Sequence, residues 1–147
     1  FSVLFICHGN ICRSVMAEYI LKDMVLHDGK MSEFVIASRA TSREEIGNDI
    51  YPPAKRCLAK HGIPFDRHHA SQVTREDCEA FDYLICMDEY NIHNMQRMFG
   101  SEFAPKTSKL LDHTDLKRDV ADPWYTDDFE TAYNDIKTGC EALLKEL

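Results

Sequence analysis

The segment Cys7-His8-Gly9-Asn10-Ile11-Cys12-Arg13-Ser14 concentrates the residue types that could do chemistry. A short apolar run, Ser2-Val3-Leu4-Phe5-Ile6, precedes it, and an apolar pattern at helical spacing follows it. A passage from buried strand into helix N-terminus offers an anion free backbone N–H groups and the positive end of a helix dipole. Gly9 permits a turn that a side chain would obstruct, and Asn10 is among the few residues that tolerate left-handed geometry. The successive N–H groups of His8, Gly9, Asn10, Ile11, Cys12, Arg13 and Ser14 then form a concave nest of phosphate size. Cys7 at its base is the candidate nucleophile, because donors that hold an anion also stabilise a thiolate. Arg13 supplies a planar fork for two phosphate oxygens, which lysine could not match. The Ser14 hydroxyl can donate to the thiolate, or later to the departing sulfur. A core cysteine before an ordinary capped helix would explain Cys7 and Ser14, but not Gly9, Asn10 and Arg13.

A phosphate-ester leaving group departs as an alkoxide or phenoxide unless a proton arrives, so the thiolate needs a partner acid. Among 25 Asp and Glu residues, chemistry alone does not single one out. Asp122 stands out locally because Pro123 stiffens its loop and Trp124 and Tyr125 follow, although a structural turn aspartate would read the same way. Backbone donors and one guanidinium meet the phosphate charge, so no metal ion or other cofactor is expected. Cys12 lies five positions after Cys7 and faces the same small loop. Mild peroxide is therefore expected to link the two reversibly, with Cys7 oxidising first and Cys12 resolving the sulfenic acid.

These residues need elements to position them. The run at 2–6 reads as a strand buried on both faces, and a helix starts near Ser14 and closes at His27-Asp28-Gly29. Phe34-Val35-Ile36 reads as a second strand and Arg39 to Asn48 as loop. A helix from Pro52-Pro53 to Gly62 and a short one opened by Thr74 through a capping box come next. Phe81 to Cys86 reads as a third strand, and Asp88 caps a helix from Glu89 to about Met98. Thr107 to Leu111 is a weak fourth strand, a loop runs to Thr126, and Phe129 to Leu144 is the last helix. Strands alternating with helices define an α/β domain whose ligands gather at the carboxyl ends of the strands.

The octapeptide CHGNICRS resembles the signature of low-molecular-weight protein tyrosine phosphatases. The resemblance extends through Val35-Ile36-x-Ser38, His61-Gly62-Ile63, Gln72-Val73-Thr74, Phe81-Asp82-Tyr83, Cys86-Met87-Asp88-Glu89 and Asp122-Pro123-Trp124-Tyr125. It implies one phosphatase domain over 1–147, with a four-stranded parallel sheet in the order 2-1-3-4 and helices on both faces. It also implies hydrolysis of protein phosphotyrosine or small aryl phosphates through a phosphocysteine on Cys7, with Asp122 as general acid and then base. Inorganic phosphate and other oxyanions would inhibit. Ser38 and His68 match a network that holds Asn10, while His8, Glu44, Trp124 and Tyr125 fall where relatives line the cleft. Val15 stands where many relatives have proline, and Arg39 where a glycine is common. Ile11 agrees with phosphotyrosine-type members rather than with phosphoarginine-type ones, which tend to have threonine there. An arsenate reductase shares this loop, with Cys78 and Cys86 in roughly the right region. A phosphocarrier holding phosphate on Cys7 is a further alternative, though it has no use for a hydrolytic acid.

The bulk numbers agree with a catalytic domain. A net charge of −8 over 147 residues argues against nucleic acid or an anionic membrane as partner. No apolar stretch approaches a membrane helix, and the first residues lack the order of a signal peptide. The six cysteines show no repeated C-x2-C or paired Cys/His spacing, and Cys57, Cys86 and Cys140 lie in apolar segments. A reducing cytoplasm, without disulfides or structural zinc, is the expected setting.

Overall fold

Six hydrophobic or small residues in a row at the chain start can be satisfied only where both sheet faces are covered, and this is where they lie. In the computed structural model, which describes residues Phe1–Leu147, β1 (Ser2–Cys7) is central. It pairs in parallel with β2 (Val35–Ala40) on one side and β3 (Tyr83–Cys86) on the other. β3 continues in parallel to the short edge strand β4 (Thr107–Lys109), giving the order β2-β1-β3-β4. Six helices accompany the sheet: α1 (Arg13–His27), α2 (Pro52–Lys60), α3 (Arg75–Ala80), α4 (Glu89–Phe99), α5 (Pro123–Thr126) and α6 (Phe129–Glu146).

Alternate β1 residues enter two separate cores, as the period of a strand requires. Val3, Phe5 and Cys7 join the larger cluster, with Met16, Ile20 and Leu21 of α1 and Ile136, Cys140 and Leu143 of α6. Leu4 and Ile6 join the smaller one, with Cys78 of α3, Met95 of α4 and Phe103. Phe5 has no exposed surface, so its truncation to Ala would cost about 3–5 kcal/mol. This packing fixes the carboxyl end of β1, where Cys7 pairs with Ala40. Within the larger core, α6 approaches Leu110 closely at Gly139, where an added Cβ would collide with the Leu110 side chain.

Local sequence explains the helix starts. Thr74 and Asp77 form the expected reciprocal capping box of α3, and Asp88 and Asn91 form another at α4. Several expected boundaries are corrected. β2 runs on through Arg39 and Ala40, because Ala40 continues the β1 ladder and bridges Gln72, so the loop starts later. Phe34 precedes that strand, packed against the larger core. Phe81 and Asp82 precede β3, and Leu110-Leu111 begins a 3-10 turn instead of ending β4. Within the expected loop before Thr126, Asp122 caps one turn of helix, α5, with Pro123 at its first position. No helix is long and apolar enough to cross a membrane.

Candidate active site

The loop between β1 and α1 closes around the Cys7 sulfur. Its carbonyls turn outward and are taken by neighbouring backbone: Thr41 N–H donates to Cys7 O, Ser42 N–H to His8 O and Tyr51 N–H to Ile11 O. The loop's own N–H groups take no part in these three bonds. One of them, on Asn10, donates to Cys7 Sγ at 3.3 Å. Asn10 adopts φ 61°, the left-handed region that asparagine tolerates better than most residues.

That strained residue is held on every polar atom of its side chain. Its Nδ2 donates to Ser14 Oγ and to Ser38 Oγ, both at 2.9 Å. Its Oδ1 accepts from Ser71 N–H and His68 Nε2, each at 3.2 Å, and His68 Nε2 also lies 2.7 Å from the Asn10 carbonyl. With both amide hydrogens and the amide oxygen engaged, the orientation of Asn10 is determined. Ser14 Oγ accepts from Asn10 Nδ2 and also from the Cys7 thiol, whose sulfur is 2.9 Å away. Ser38 passes the network on by donating to Glu18 Oε1 at 2.6 Å, and Lys22 donates to the other Glu18 oxygen. Burial lowers the pKa of His68, and the Asn10 carbonyl works against that shift without reversing it. The neighbouring His69 is exposed.

Arg13 is 2% exposed, so its charge needs partners. Its Nη1 donates to Asp88 Oδ2 at 2.8 Å and to the Val120 carbonyl at 2.7 Å. Its Nη2 reaches Asp122 Oδ2 at a longer 3.4 Å. Burial opposes the guanidinium charge, but the Cys7 sulfur, Asp88 and Asp122 outweigh it and hold its pKa above the ordinary value. Asp122 divides its two oxygens: Oδ1 caps α5 by accepting from Trp124 N–H at 3.0 Å, while Oδ2 faces Arg13.

Above this floor lies a cavity of about 190 Å³, lined by the loop from Cys7 to Arg13 and by Glu44, Glu45, Asp122, Trp124 and Tyr125. Trp124 and Tyr125 are 51% and 84% exposed, so they wall the mouth rather than fill a core. The Trp124 ring leans on Tyr51 at 4.7 Å between centroids, and Tyr51 stacks on Phe129. His8 Nε2 sits 2.9 Å from Glu44 Oε2 at the rim, while its buried Nδ1 has no partner.

All the site residues singled out from sequence thus gather around one pocket or directly behind it. Several contributors were not singled out. Asp88 read as a helix cap within a family-matching segment but not as a partner of Arg13, and Glu18, Glu45, Tyr51 and Ser71 carried no local mark.

The cysteines divide as well. All six are free thiols and buried. Burial, then the charges of Cys7 and Asp122, raise the pKa of Cys12. Cys78 and Cys86 lie inside the smaller core cluster, where burial raises Cys78 to about 11 and raises Cys86 too. Neither side chain has exposed surface through which it could pass oxidation on. One constellation is not apparent from spacing: donor atoms of Cys57, His61 and Glu130 lie within 4.8 Å of one another where α2 meets α6. Lys60 Nζ, 3.2 Å from Glu130 Oε1, already supplies a cation there.

The α/β domain thus brings a buried thiol, a buried arginine and a two-faced aspartate together around one pocket. The model of the family described as low molecular weight phosphotyrosine protein phosphatase matches residues 2–147, and the chain belongs to that family. It is 41% identical over 149 residues to the low molecular weight protein-tyrosine-phosphatase YfkJ of Bacillus subtilis, covering 99% of this chain and 95% of the relative. It is 39% identical to the low molecular weight phosphotyrosine protein phosphatase of Pongo abelii, covering 99% and 94%. The crystal structure of YfkJ superposes with a TM-score of 0.95 at 40% identity, covering 99% of this chain and 93% of that one.

Proposed function

We propose that residues 1–147 act as a single phosphatase domain that hydrolyses protein phosphotyrosine through a phosphocysteine on Cys7. The observation that carries this reading is the Cys7 sulfur itself, accepting from Asn10 N–H and within 2.9 Å of the Ser14 hydroxyl, at the base of a pocket containing Arg13 and Asp122. In the first step the thiolate attacks phosphorus and the P–O bond to the tyrosyl oxygen breaks. The leaving oxygen takes a proton from Asp122, while the nest and Arg13 hold the equatorial oxygens. In the second step the Asp122 carboxylate removes a proton from water, the water oxygen attacks phosphorus and the S–P bond breaks. Inorganic phosphate leaves, the sulfur departs as a thiolate that Ser14 stabilises, and Asp122 is protonated again.

The division of labour at Asp122 supports its part. One oxygen is anchored to α5 and cannot wander, whereas the other has only a long contact to Arg13 and is free to face a leaving group. Trp124 and Tyr125 make the pocket deep enough for an aryl ester to reach the sulfur. The phosphate charge needs no cation beyond Arg13, and phosphate and other oxyanions bind as competitive inhibitors. The test is a side-by-side assay of tyrosyl, seryl, arginyl and simple aryl phosphates in excess chelator. Tyrosyl and aryl phosphates are expected to turn over and the others poorly. Preference for arginyl phosphate, or activity restored only by added metal, would overturn the reading.

A further inference from the structure

An anion-binding floor lies beneath an acidic mouth, and that opposition says something about the substrate. Arg13, the one buried cation of the floor, already shares its charge with Asp88 and Asp122. Glu44 and Glu45 stand in one wall and Asp122 in the other, with exposed Asp127 and Asp128 just beyond α5. Both wall glutamates are held in place. His8 Nε2 meets Glu44 Oε2 at 2.9 Å, and Asn48 Nδ2 donates to Glu45 Oε2 at 2.6 Å. The Glu45 side chain lies against Gly9. The basic residues lining the pocket are Arg13 on the floor and His8, which is engaged by Glu44. A dianionic phosphate therefore enters against the field of the rim, and acidic residues beside it would add to the repulsion.

We propose that this mouth selects phosphotyrosine flanked by lysine or arginine, whose side chains meet Glu44 and Glu45 as the phosphate reaches the floor. The inference rests on the phosphotyrosine reading above and adds to it a class of sequence. The mechanism of selection is charge complementarity at the rim, which acts on capture of the peptide and so on kcat/KM.

The experiment uses two phosphotyrosyl peptides that differ only in the neighbours of the phosphotyrosine, lysines in one and glutamates in the other. At low salt the wild type should favour the lysine peptide in kcat/KM by about ten-fold, and near 0.5 M salt by only about two-fold. In Glu44→Gln/Glu45→Gln the low-salt ratio should fall by about three-fold or more. Glu44→Gln alone, which alters an exposed carboxylate and leaves the fold intact, should give part of that fall. A ratio near one in the wild type, or the same ratio in wild type and double variant, overturns the proposal while leaving the phosphotyrosine reading standing. Hydrolysis of neither peptide removes both.

Discussion

The floor and the mouth of the pocket are built by different rules. On the floor, Asn10 and Ser38 have no more than 1% exposure, and each polar side-chain atom has a named partner. At the mouth, Glu44, Trp124 and Tyr125 are exposed, Glu44 meeting His8 and the Trp124 ring leaning on Tyr51. A buried polar network tolerates no partial change, because each lost partner strands another group. An exposed wall can be altered residue by residue at small cost. Chemistry should therefore depend on the floor in large steps, and substrate choice on the mouth in small ones.

The steepest break is expected at the nucleophile. Cys7→Ser should lower turnover by about four to six orders of magnitude, the scale seen when a nucleophile is removed. Phosphate should still bind, because Arg13 and the loop donors remain, and calorimetry with inorganic phosphate reads this directly. Loss of phosphate binding in a folded Cys7→Ser protein would count against the nest.

Next comes the acid. Asp122→Asn should slow tyrosyl phosphate by about 100-fold or more, since its leaving group has a pKa of about 10. An activated nitrophenyl ester needs less help and should slow less, while phosphate affinity holds or improves as a negative charge leaves the cleft. Equal slowing of both esters would make Asp122 a structural cap of α5 and turn attention to Asp119, Asp127 or Asp128.

The support of Asn10 sharpens the comparison through pH. Burial holds the pKa of His68 below its ordinary value of 6.5. The unfolded chain therefore takes up this proton at higher pH than the folded one. The stability involved is present above the unfolded value and is lost as pH falls through it toward the lower folded value. His68→Gln keeps a donor for the Asn10 carbonyl and removes the titration. Melting temperatures from about pH 7.5 to about pH 5 should fall less in that variant than in wild type. Parallel curves would show that His68 does not titrate between the two states.

The smallest effect belongs to the mouth. Trp124→Ala should raise KM for aryl phosphates by about three- to ten-fold, in keeping with one lost aromatic wall, with inhibition by inorganic phosphate unchanged. A matching loss of phosphate affinity would mean that the ring supports the floor through Tyr51.

The same contrast explains what could be read from sequence. The floor was legible because its chemistry occupies consecutive residues between a buried strand and a helix, where Gly9, Asn10 and Arg13 have few other reasons to stand together. The sheet order and helix faces followed from apolar periodicity and resemblance. Asp88, Glu18 and Glu45 were not legible as site residues, since their contacts to Arg13, Ser38 and the pocket arise from packing between distant segments. Even Asp122 needed the resemblance, because one carboxylate among 25 has no local mark of catalysis beyond Pro123. The one-turn α5 escaped for a related reason: four residues are too few for any periodicity to show.

The central claim is a covalent bond between phosphorus and Cys7. Rapid acid quench of a single turnover, followed by mass spectrometry of the peptide containing Cys7, tests it most directly. The account predicts one phosphoryl group on Cys7 that forms and decays within the turnover, and none in Cys7→Ser. Phosphate release at full rate with Cys7 unmodified throughout would contradict it.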